Sequence, residues 1–248
     1  MENIKVALVT GASRGIGRAI ALQLSSLGYT VIINYKNDKS SAEEVLKKIK
    51  VCKGDGVCFG SDLSQYDSIK NLFNFISSEY GRLDVLINNV GYAPIIKTSK
   101  IDEKEWDNIL DINLKSTFFC SQLAMPIMKA HGQGKIINIG SQAGITGGFH
   151  SGAHYATAKG GINTLTKRFA IEGASDNILV NCISPGIIET DGVNAYPKKI
   201  IKELVSKIPL NRIGAVTDIA NVVTFLLSDK SSYLTGINIP VNGGLYMN

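Results

Sequence analysis

The feature that most limits the folds open to this chain is a regular alternation of short apolar runs with longer segments of helical period. Strand-like runs, rich in β-branched residues, lie at 5–10, 30–35, 56–60, 83–88, 134–140, 178–184 and 236–241. Helical periodicity lies near 15–27, 40–50, 65–80, 102–131 (as two helices), 152–175 and 217–228. Strand and helix in unbroken alternation predict parallel pairing with right-handed crossovers. We therefore expect an α/β doubly wound Rossmann fold, with a seven-stranded parallel sheet flanked by helices.

The alternation continues through all 248 residues without a linker, a low-complexity tract or an internal repeat. It predicts one domain over 1–248, with a cofactor half at about 1–135 and a catalytic and substrate half at about 136–248. The segment 186–210 is the least regular, and we expect a substrate loop there with one or two short helices acting as a lid. Ligands of such sheets bind at the carboxyl ends of the strands, so the residues that follow each strand are the candidates for chemistry.

Composition excludes several classes of protein. Hydrophobic residues make up 44% and charged residues 19% of the chain, as is usual for a globular protein with a large core. The longest apolar runs are far shorter than the roughly 20 residues that span a bilayer. The amino terminus enters a strand pattern directly, without the charged start, long apolar run and cleavage site of a secretory signal. We expect a cytoplasmic protein with no membrane partner.

The distribution of charge and the spacing of the cysteines and histidines exclude further kinds of partner. The net charge of +5 comes from scattered lysines and arginines, which does not predict a nucleic-acid partner but suits a phosphorylated cofactor. The cysteines lack C-x-x-C spacing and are expected to be free thiols, mostly buried: Cys52, Cys58, Cys120 and Cys182. The histidines lack metal-ligand spacing, so no metal site is expected: His131, His150 and His154. His154 precedes Tyr155 and should point elsewhere on the helix.

A glycine-rich loop, T-G-A-S-R-G-I-G at 10–17, follows the first strand and opens the first helix. Glycines allow a tight turn and a close backbone approach to a pyrophosphate, and the next helix presents free amides to that charge. Such a turn can also be mere punctuation between strand and helix. Its position and its G-x-x-x-G-x-G spacing favour a dinucleotide site. The predicted contacts are Gly11, Ser13, Arg14, Gly15, Ile16 and Gly17.

Cofactor choice depends on the end of the second strand, where NAD-binding proteins usually place an acid that binds the adenosine ribose. Here the sequence at 33–37 is I-N-Y-K-N, with no acid before Asp38. An acid would repel a 2′-phosphate, whereas Arg14 and Lys36 can pair with it. NADPH is therefore favoured, with Tyr35 and Lys36 at the adenosine end. The alternative is that both cations are ordinary solvated surface residues.

Three further residues form a candidate catalytic set. Tyr155 and Lys159 are four residues apart, so they share one face of a helix. A nearby ammonium favours the phenolate, and we expect it to lower the pKa of the tyrosine from its usual value of about 10. Ser141 follows the fifth strand, where its hydroxyl can polarise a substrate carbonyl. Taken alone, Y-x-x-x-K is also typical of a core aromatic residue with a snorkelling lysine.

Five separately spaced motifs agree with one family: 10–17; Asp62-Leu63; Asn88-Asn89-Val90-Gly91; Ser141 with Tyr155 and Lys159; and Pro185-Gly186 with Thr190. Over essentially its whole length the chain resembles the classical short-chain dehydrogenase/reductase family. The resemblance implies that Tyr155 is the acid and base, that Ser141 orients the carbonyl, and that Lys159 clamps the ribose and activates the tyrosine. It also implies that Asn113 organises a proton-relay water. The further cofactor contacts that it implies are Asp62, Leu63, Asn89, Gly91, Pro185, Gly186, Ile188 and Thr190. Val90 replaces the usual alanine, with little functional loss expected.

A narrower resemblance, to bacterial 3-oxoacyl-[acyl-carrier-protein] reductases, rests on I-E-T-D at 188–191 and V-N-G-G-L-Y-M at 241–247. It implies NADPH-dependent reduction of a ketone to a secondary alcohol, on a 3-oxoacyl thioester, by a homotetramer with a dimer interface on the helix of Tyr155. Another small alcohol or ketone, such as a sugar, steroid or diketone, remains open because fold does not fix substrate. By the same resemblance, enoyl reductases have a longer tyrosine-to-lysine spacing than the three intervening residues of this chain. An enoyl reductase is therefore less favoured. A nucleotide-sensing regulator would commonly lose the tyrosine or lysine, which this chain keeps.

Whether the acyl group arrives on an acyl carrier protein is a separate question. Related carrier-protein reductases place arginines just before the fifth strand and near the end of the tyrosine helix. Here 130–134 and 173–177 contain no arginine, and Asp176 would repel an acidic carrier. Compensation would require that other cations face the mouth of the site: Lys129, Lys135 and Arg168. We therefore expect a carrier-free β-ketoacyl compound, or another small ketone, to be reduced at least as well as the carrier-bound form.

Overall fold

The computed structural model describes residues 4–148, 151–195 and 197–247. Its strands are β1 (Lys5–Val9), β2 (Tyr29–Tyr35), β3 (Gly56–Gly60), β4 (Val85–Asn88), β5 (Gly134–Ile139), β6 (Ile178–Pro185) and β7 (Asn238–Val241). They form one seven-stranded sheet in the order β3-β2-β1-β4-β5-β6-β7, and every neighbouring pair is parallel. The predicted fold class is therefore confirmed. The strand order reverses between β1 and β4, where doubly wound sheets bind their ligands.

The helices lie between the strands, close to their predicted positions. They are α1 (Gly15–Ser26), α2 (Lys39–Val51), α3 (Tyr66–Glu79), α4 (Glu103–Leu110), α5 (Ser116–Ala130), α6 (Ala143–Thr146), α7 (Ala153–Gly173), α8 (Asp191–Asn194), α9 (Lys198–Val205) and α10 (Val216–Leu227). Between α4 and α5 the chain does not break: it makes a π-helical turn at Asp111–Lys115. The segment 186–210 contains the two short helices expected there, α8 and α9. No pattern in the sequence predicts α6.

Two cores hold the sheet, one on each face. Successive strand residues point to opposite faces, so Val6 and Leu8 pack in one core while Ala7 and Val9 pack in the other. The first core also contains apolar residues of α3, α5 and α7, and the second contains those of α1, α2 and α10. Because both faces are covered, the carboxyl edge of the sheet is the part left for a site.

A chain of buried amides fixes α7 against the sheet. The Asn88 Nδ2 donates to Asn138 Oδ1 (2.8 Å), and the Asn138 Nδ2 donates to Thr166 Oγ1 (2.9 Å). The link runs from β4 through β5 to α7, so the helix that carries Tyr155 has a defined position.

The expectations of free cysteines and of no membrane-spanning segment can be compared with the described residues. All four cysteines are free; Cys120 and Cys182 are buried, whereas Cys52 is exposed. Among the helices that the structure describes, none has the length and apolar character required to cross a membrane.

Candidate active site

The loop between β1 and α1 has a shape that only glycine permits. Gly11 (φ +60°) and Gly15 (φ +55°) adopt the left-handed backbone region. At Gly17 an added Cβ would overlap the carbonyl oxygen of Gly11. These positions let the loop turn tightly over the carboxyl end of β1 and start α1 immediately afterwards.

Two asparagines hold this loop from below. The Gly11 amide donates to Asn34 Oδ1 (3.2 Å), and the Ala12 amide donates to the Asn34 carbonyl (2.8 Å). The Asn89 Nδ2 donates to the carbonyl oxygens of Thr10 (2.9 Å) and Gly11 (3.1 Å). Thr10 and Asn34 are therefore functional residues that sequence reasoning missed. The available signal was a polar residue within an otherwise apolar strand.

The start of α1 is left open to an anion. The first amides of any α-helix, here Gly15 to Gly17, have no partner within the helix. Arg14 at the N-cap makes no side-chain hydrogen bond to them, and the first turn holds no acidic residue. Backbone amides and the positive end of the helix dipole suit a pyrophosphate. The residues present thus fit a bound dinucleotide.

The adenosine end differs from the sequence expectation. Lys36 already has an acidic partner, because its Nζ lies 2.7 Å from Asp62 Oδ2. Burial would raise the pKa of Asp62, but hydrogen bonds from Lys36 and Ser64 outweigh it and lower that pKa. Both partners are partly exposed, so the pair is weak and an incoming phosphate can compete for the lysine. Arg14 is exposed at the loop.

The other predicted cofactor residues divide by how they can make contact. Leu63 and Ile188 are buried in the core, so only their backbone atoms can reach a cofactor. The Tyr35 ring lies against Gly60, with its hydroxyl oxygen 3.0 Å from where a Cβ would stand. Thr190 faces the glycine loop, its Cγ2 being 3.5 Å from an ideal Cβ on Gly15.

Ser141, Tyr155 and Lys159 converge at the carboxyl end of β5. The Ser141 side chain lies near the Tyr155 hydroxyl, close enough to lower the pKa of that phenol. Lys159 is almost fully buried; its Nζ donates to the Ile139 carbonyl (2.9 Å) and lies 5.8 Å from the centre of the Tyr155 ring. Pro185 ends β6 beside them, because its carbonyl accepts from the Gln142 amide (3.0 Å), and Gly186 continues the same edge.

The short helix α6 brings Ser141 against α7. An added Cβ at Gly144 would overlap the Lys159 carbonyl and the Gly160 amide. This contact between backbones sets the separation of the serine loop from the tyrosine helix. Four residues cannot show a helical period, which is why the sequence does not predict α6.

Asn113 lies in the π-helical turn, a kind of irregularity that is frequent at functional sites. Its Nδ2 donates to the Tyr92 and Ile109 carbonyls, both at 3.0 Å, and its Oδ1 accepts from the Tyr92 amide (3.2 Å). An ideal Cβ at Gly91 would stand 3.0 Å from Asn113 Oδ1 and 3.3 Å from Lys159 Nζ. The structure therefore brings Asn113, Gly91 and Lys159 together.

The burial of Tyr155 and Lys159 corrects one expectation, the direction in which the tyrosine pKa shifts. Burial raises the pKa of Tyr155, and the neighbouring Ser141 side chain offsets only part of that rise. Burial also lowers the pKa of Lys159 to about 8. The sequence predicted a lowered tyrosine pKa, but it could not show how deeply both groups are buried. Loss of hydration dominates, because it penalises the charged form of each.

The lowered pKa of Lys159 leads to a prediction about carbonyl reduction by this protein. We expect kcat/KM of the free enzyme to fall as pH rises through the lysine pKa of about 8, because the ammonium that favours the phenolate is lost above it. A pH profile of kcat/KM between pH 6 and 10 tests this, with NADPH affinity measured at each pH as the control. A rate that stays flat to pH 10 would contradict the assignment.

A cavity of about 490 Å³ opens beside these residues, within the range of small-ligand sites. Ser141 and Tyr155 lie on its wall. Leu204 and Lys207, from α9 and the turn that follows it, line the side formed by the segment 186–210.

Neither His131 nor His154, the two histidines that the structure describes, lines this cavity. His154 is fully buried with its Nε2 3.7 Å from Glu105 Oε1, so it points away from the site as expected, and the His131 Nε2 lies 2.8 Å from the Gly81 carbonyl. His150 falls outside the described residues. Within the part of the chain that the structure describes, no group of histidine, cysteine or acidic residues could hold a metal ion.

The three cations considered for carrier binding are occupied elsewhere. The Lys129 Nζ pairs with Asp176 (3.1 Å), and Arg168 pairs with Glu172 (2.6 Å). The Lys135 Nζ donates to two carbonyls at the end of α10, those of Leu226 and Ser228. Lys135 lies near the start of β5, at the opposite edge of the sheet from Ser141. None of the three cations lines the cavity beside Ser141 and Tyr155.

Comparison with known proteins agrees with this geometry. A family model described as enoyl-(acyl carrier protein) reductase matches residues 11–246. The chain belongs to the short-chain dehydrogenase/reductase family.

Individual relatives extend over the whole chain. It is 44% identical over 247 residues to the 3-oxoacyl-[acyl-carrier-protein] reductase FabG of Staphylococcus aureus, covering 100% of both chains. It is 38% identical to the FabG of Pseudomonas aeruginosa, covering 98% of both. A crystal structure from Sinorhizobium meliloti, provisionally named a short-chain alcohol dehydrogenase, matches with a TM-score of 0.91 and 33% identity, over 97% of this chain and 96% of that one.

Proposed function

We propose that this protein reduces the ketone of a 3-oxoacyl thioester to a secondary alcohol with NADPH. The observation that carries the proposal is the placement of Ser141 and Tyr155 on the wall of one cavity, with the Lys159 Nζ 5.8 Å from the centre of the Tyr155 ring. The full-length likeness to proteins named 3-oxoacyl-[acyl-carrier-protein] reductase supports the choice of substrate class.

Ser141, Tyr155 and Lys159 have separate roles in the transfer of one proton to the substrate. Ser141 and Tyr155 donate hydrogen bonds to the ketone oxygen, which polarises the carbonyl and fixes its orientation. When bound, the nicotinamide cofactor supplies the hydride, with its electron pair, that the carbonyl carbon receives. Tyr155 gives its phenolic proton to the oxygen, and the Lys159 ammonium stabilises the phenolate that remains. Asn113 holds the segment after β4 close to Lys159. We propose that it also binds a relay water.

The cofactor contacts follow from the loop geometry. The amides of Gly15 to Gly17 would hold the pyrophosphate, and Arg14 with Lys36 would bind the 2′-phosphate that distinguishes NADPH. Asp62 would contact the adenine. Ile188 and Thr190, which continue from β6 toward the loop, would bind the nicotinamide amide.

A second reaction is favoured by one observation, the description of the matched family model as an enoyl-(acyl carrier protein) reductase. The test is a screen of NADPH oxidation with acetoacetyl and crotonyl thioesters, and with diketones, sugars and steroids. We expect acetoacetyl thioesters to be the best substrates. If the crotonyl thioester is reduced faster than the acetoacetyl thioester, the protein is an alkene reductase rather than a ketone reductase. If a sugar or a steroid is the best substrate, the proposed substrate class is wrong.

The acyl group does not require a carrier protein on this account. Lys129 and Arg168 are already paired with acids, whereas Lys207 at the cavity can meet the phosphates of coenzyme A. We expect kcat/KM for acetoacetyl-CoA to equal or exceed that for the acetoacetyl carrier protein, measured at low and moderate salt. A large advantage for the carrier that falls as salt rises would overturn this, since acidic partners steered by charge lose affinity when screened.

Assembly and location stay predictions. We propose a homotetramer, and one feature supports an interface on α7: an open groove of about 670 Å³ between α5 and α7, with Leu114, Phe118 and Leu165 on its walls. Apolar side chains on such a groove are typical of surfaces that a second copy covers. A cytoplasmic location is proposed with it.

A further inference from the structure

Two polar atoms on the cavity wall are buried without a partner. Gln142 Oε1 and Ser151 Oγ have no hydrogen-bond partner within the described residues. Both residues line the same cavity as Ser141 and Tyr155. Buried polar groups in native proteins are nearly always satisfied, so an unsatisfied pair beside a reactive group indicates a ligand that completes it.

The backbone holds both side chains in place. The Gln142 amide donates to Pro185, and its carbonyl accepts from the Ile145 amide (2.9 Å) and the Thr146 hydroxyl (3.2 Å). The Ser151 hydroxyl fills the space that a side chain at Gly148 (φ +76°) would occupy. Only the side-chain ends of Gln142 and Ser151 remain available.

The neighbouring Thr146 shows the contrast. It lines the same cavity, but its hydroxyl already donates to Gln142 and accepts from the Gly148 amide (3.4 Å). The rest of the cavity wall is largely apolar, including Ile187, Leu204 and Leu245. The two unpaired groups, on Gln142 and Ser151, therefore share this cavity with Ser141 and Tyr155.

We propose that Gln142 and Ser151 bind the second carbonyl of the substrate, the thioester carbonyl at C1, while Ser141 and Tyr155 hold the ketone at C3. A carbonyl oxygen accepts two hydrogen bonds. The serine hydroxyl can donate one, and a half-turn of the last torsion lets the glutamine amide nitrogen donate the other. The site then selects a 1,3-dicarbonyl compound over ketones with other spacings. This inference rests on the proposed function and names what sets its selectivity.

The experiment compares two thioesters that differ by one methylene. The substrates are acetoacetyl and 4-oxopentanoyl N-acetylcysteamine, which keep both carbonyls but change their separation. We expect the wild-type protein to prefer the 3-oxo compound in kcat/KM. Gln142→Met and Ser151→Ala should each reduce that preference by about 3- to 10-fold, as expected for loss of one neutral hydrogen bond, and the double variant should reduce it further.

Two further variants make the test specific. Gln142→Glu cannot donate a hydrogen bond when ionised, so it should lose the preference at least as fully as Gln142→Met. Thr146→Ser keeps a hydroxyl that is already satisfied, and it should keep the wild-type preference. Circular dichroism and NADPH affinity verify that each variant is folded.

The possible outcomes separate the two proposals. If the wild-type protein reduces the 3-oxo thioester but Gln142→Met and Ser151→Ala keep its preference, the inference is wrong and the proposed function stands. Preference retained in Gln142→Glu would also overturn it, because the glutamine would then not be a donor. If the wild-type protein does not reduce the 3-oxo thioester, both fail.

Discussion

Replacing Tyr155 by phenylalanine should lower kcat for ketone reduction by about 10²–10⁴-fold or more, because the change removes the proton donor and little else. The phenyl ring keeps the volume that packs beside Ser141 and Lys159. NADPH affinity should therefore stay within a few-fold of the wild-type value. Single-turnover rates and fluorescence titration of NADPH separate the two effects.

A matched control for this variant is Tyr92→Phe. Tyr92 is exposed, and it contacts Asn113 through its backbone rather than its hydroxyl. Its variant should retain most of the activity. Near-normal turnover in Tyr155→Phe would refute the assignment of the proton donor, whatever the cofactor affinity.

The second large effect concerns cofactor choice. The wild-type protein should prefer NADPH to NADH, and the double variant with Arg14→Ala and Lys36→Ala should lose that preference. Each charge-assisted contact contributes about 1.5–3 kcal/mol, so the two together should change the ratio of kcat/KM by about 100-fold or more. Arg14→Ala alone should cost more than Lys36→Ala, because Lys36 already shares its charge with Asp62.

The control removes the same net charge elsewhere. Lys47 and Lys48 are exposed on α2, away from the glycine loop. Their double alanine variant should keep the ratio of NADPH to NADH efficiency. Equal efficiency of the wild-type protein with both cofactors would count against NADPH specificity.

The fold was predictable because each strand and helix has a hydrophobic period that is visible in its own short stretch of sequence. In β1, Val6 and Leu8 alternate with Ala7 and Val9, and each pair packs in a different core. Several boundaries moved by one or two residues: the run predicted at 83–88 is a strand only from Val85, and the run at 236–241 only from Asn238. The side chain of Asp84, just before β4, accepts from the Val6 amide (2.7 Å).

The site was predictable only in part. Spacing along the chain identified Tyr155 and Lys159, since both lie on one helix. The support of the glycine loop by Asn34 and the pairing of Lys36 with Asp62 join distant segments that local patterns cannot relate. The predicted direction of the Tyr155 pKa shift was wrong for the same reason, because desolvation depends on what the fold packs around a side chain.

The most direct test of the account uses NADPH carrying deuterium at the transferable position of the nicotinamide. With the wild-type protein and an acetoacetyl thioester, we expect a 3-hydroxybutyryl thioester with one deuterium on C3, and the Tyr155→Phe variant should form this product far more slowly. Mass spectrometry and NMR of the product locate the label. Absence of label at C3 of the acetoacetyl thioester, together with conversion of a crotonyl thioester to a butyryl product, would contradict a ketone reductase.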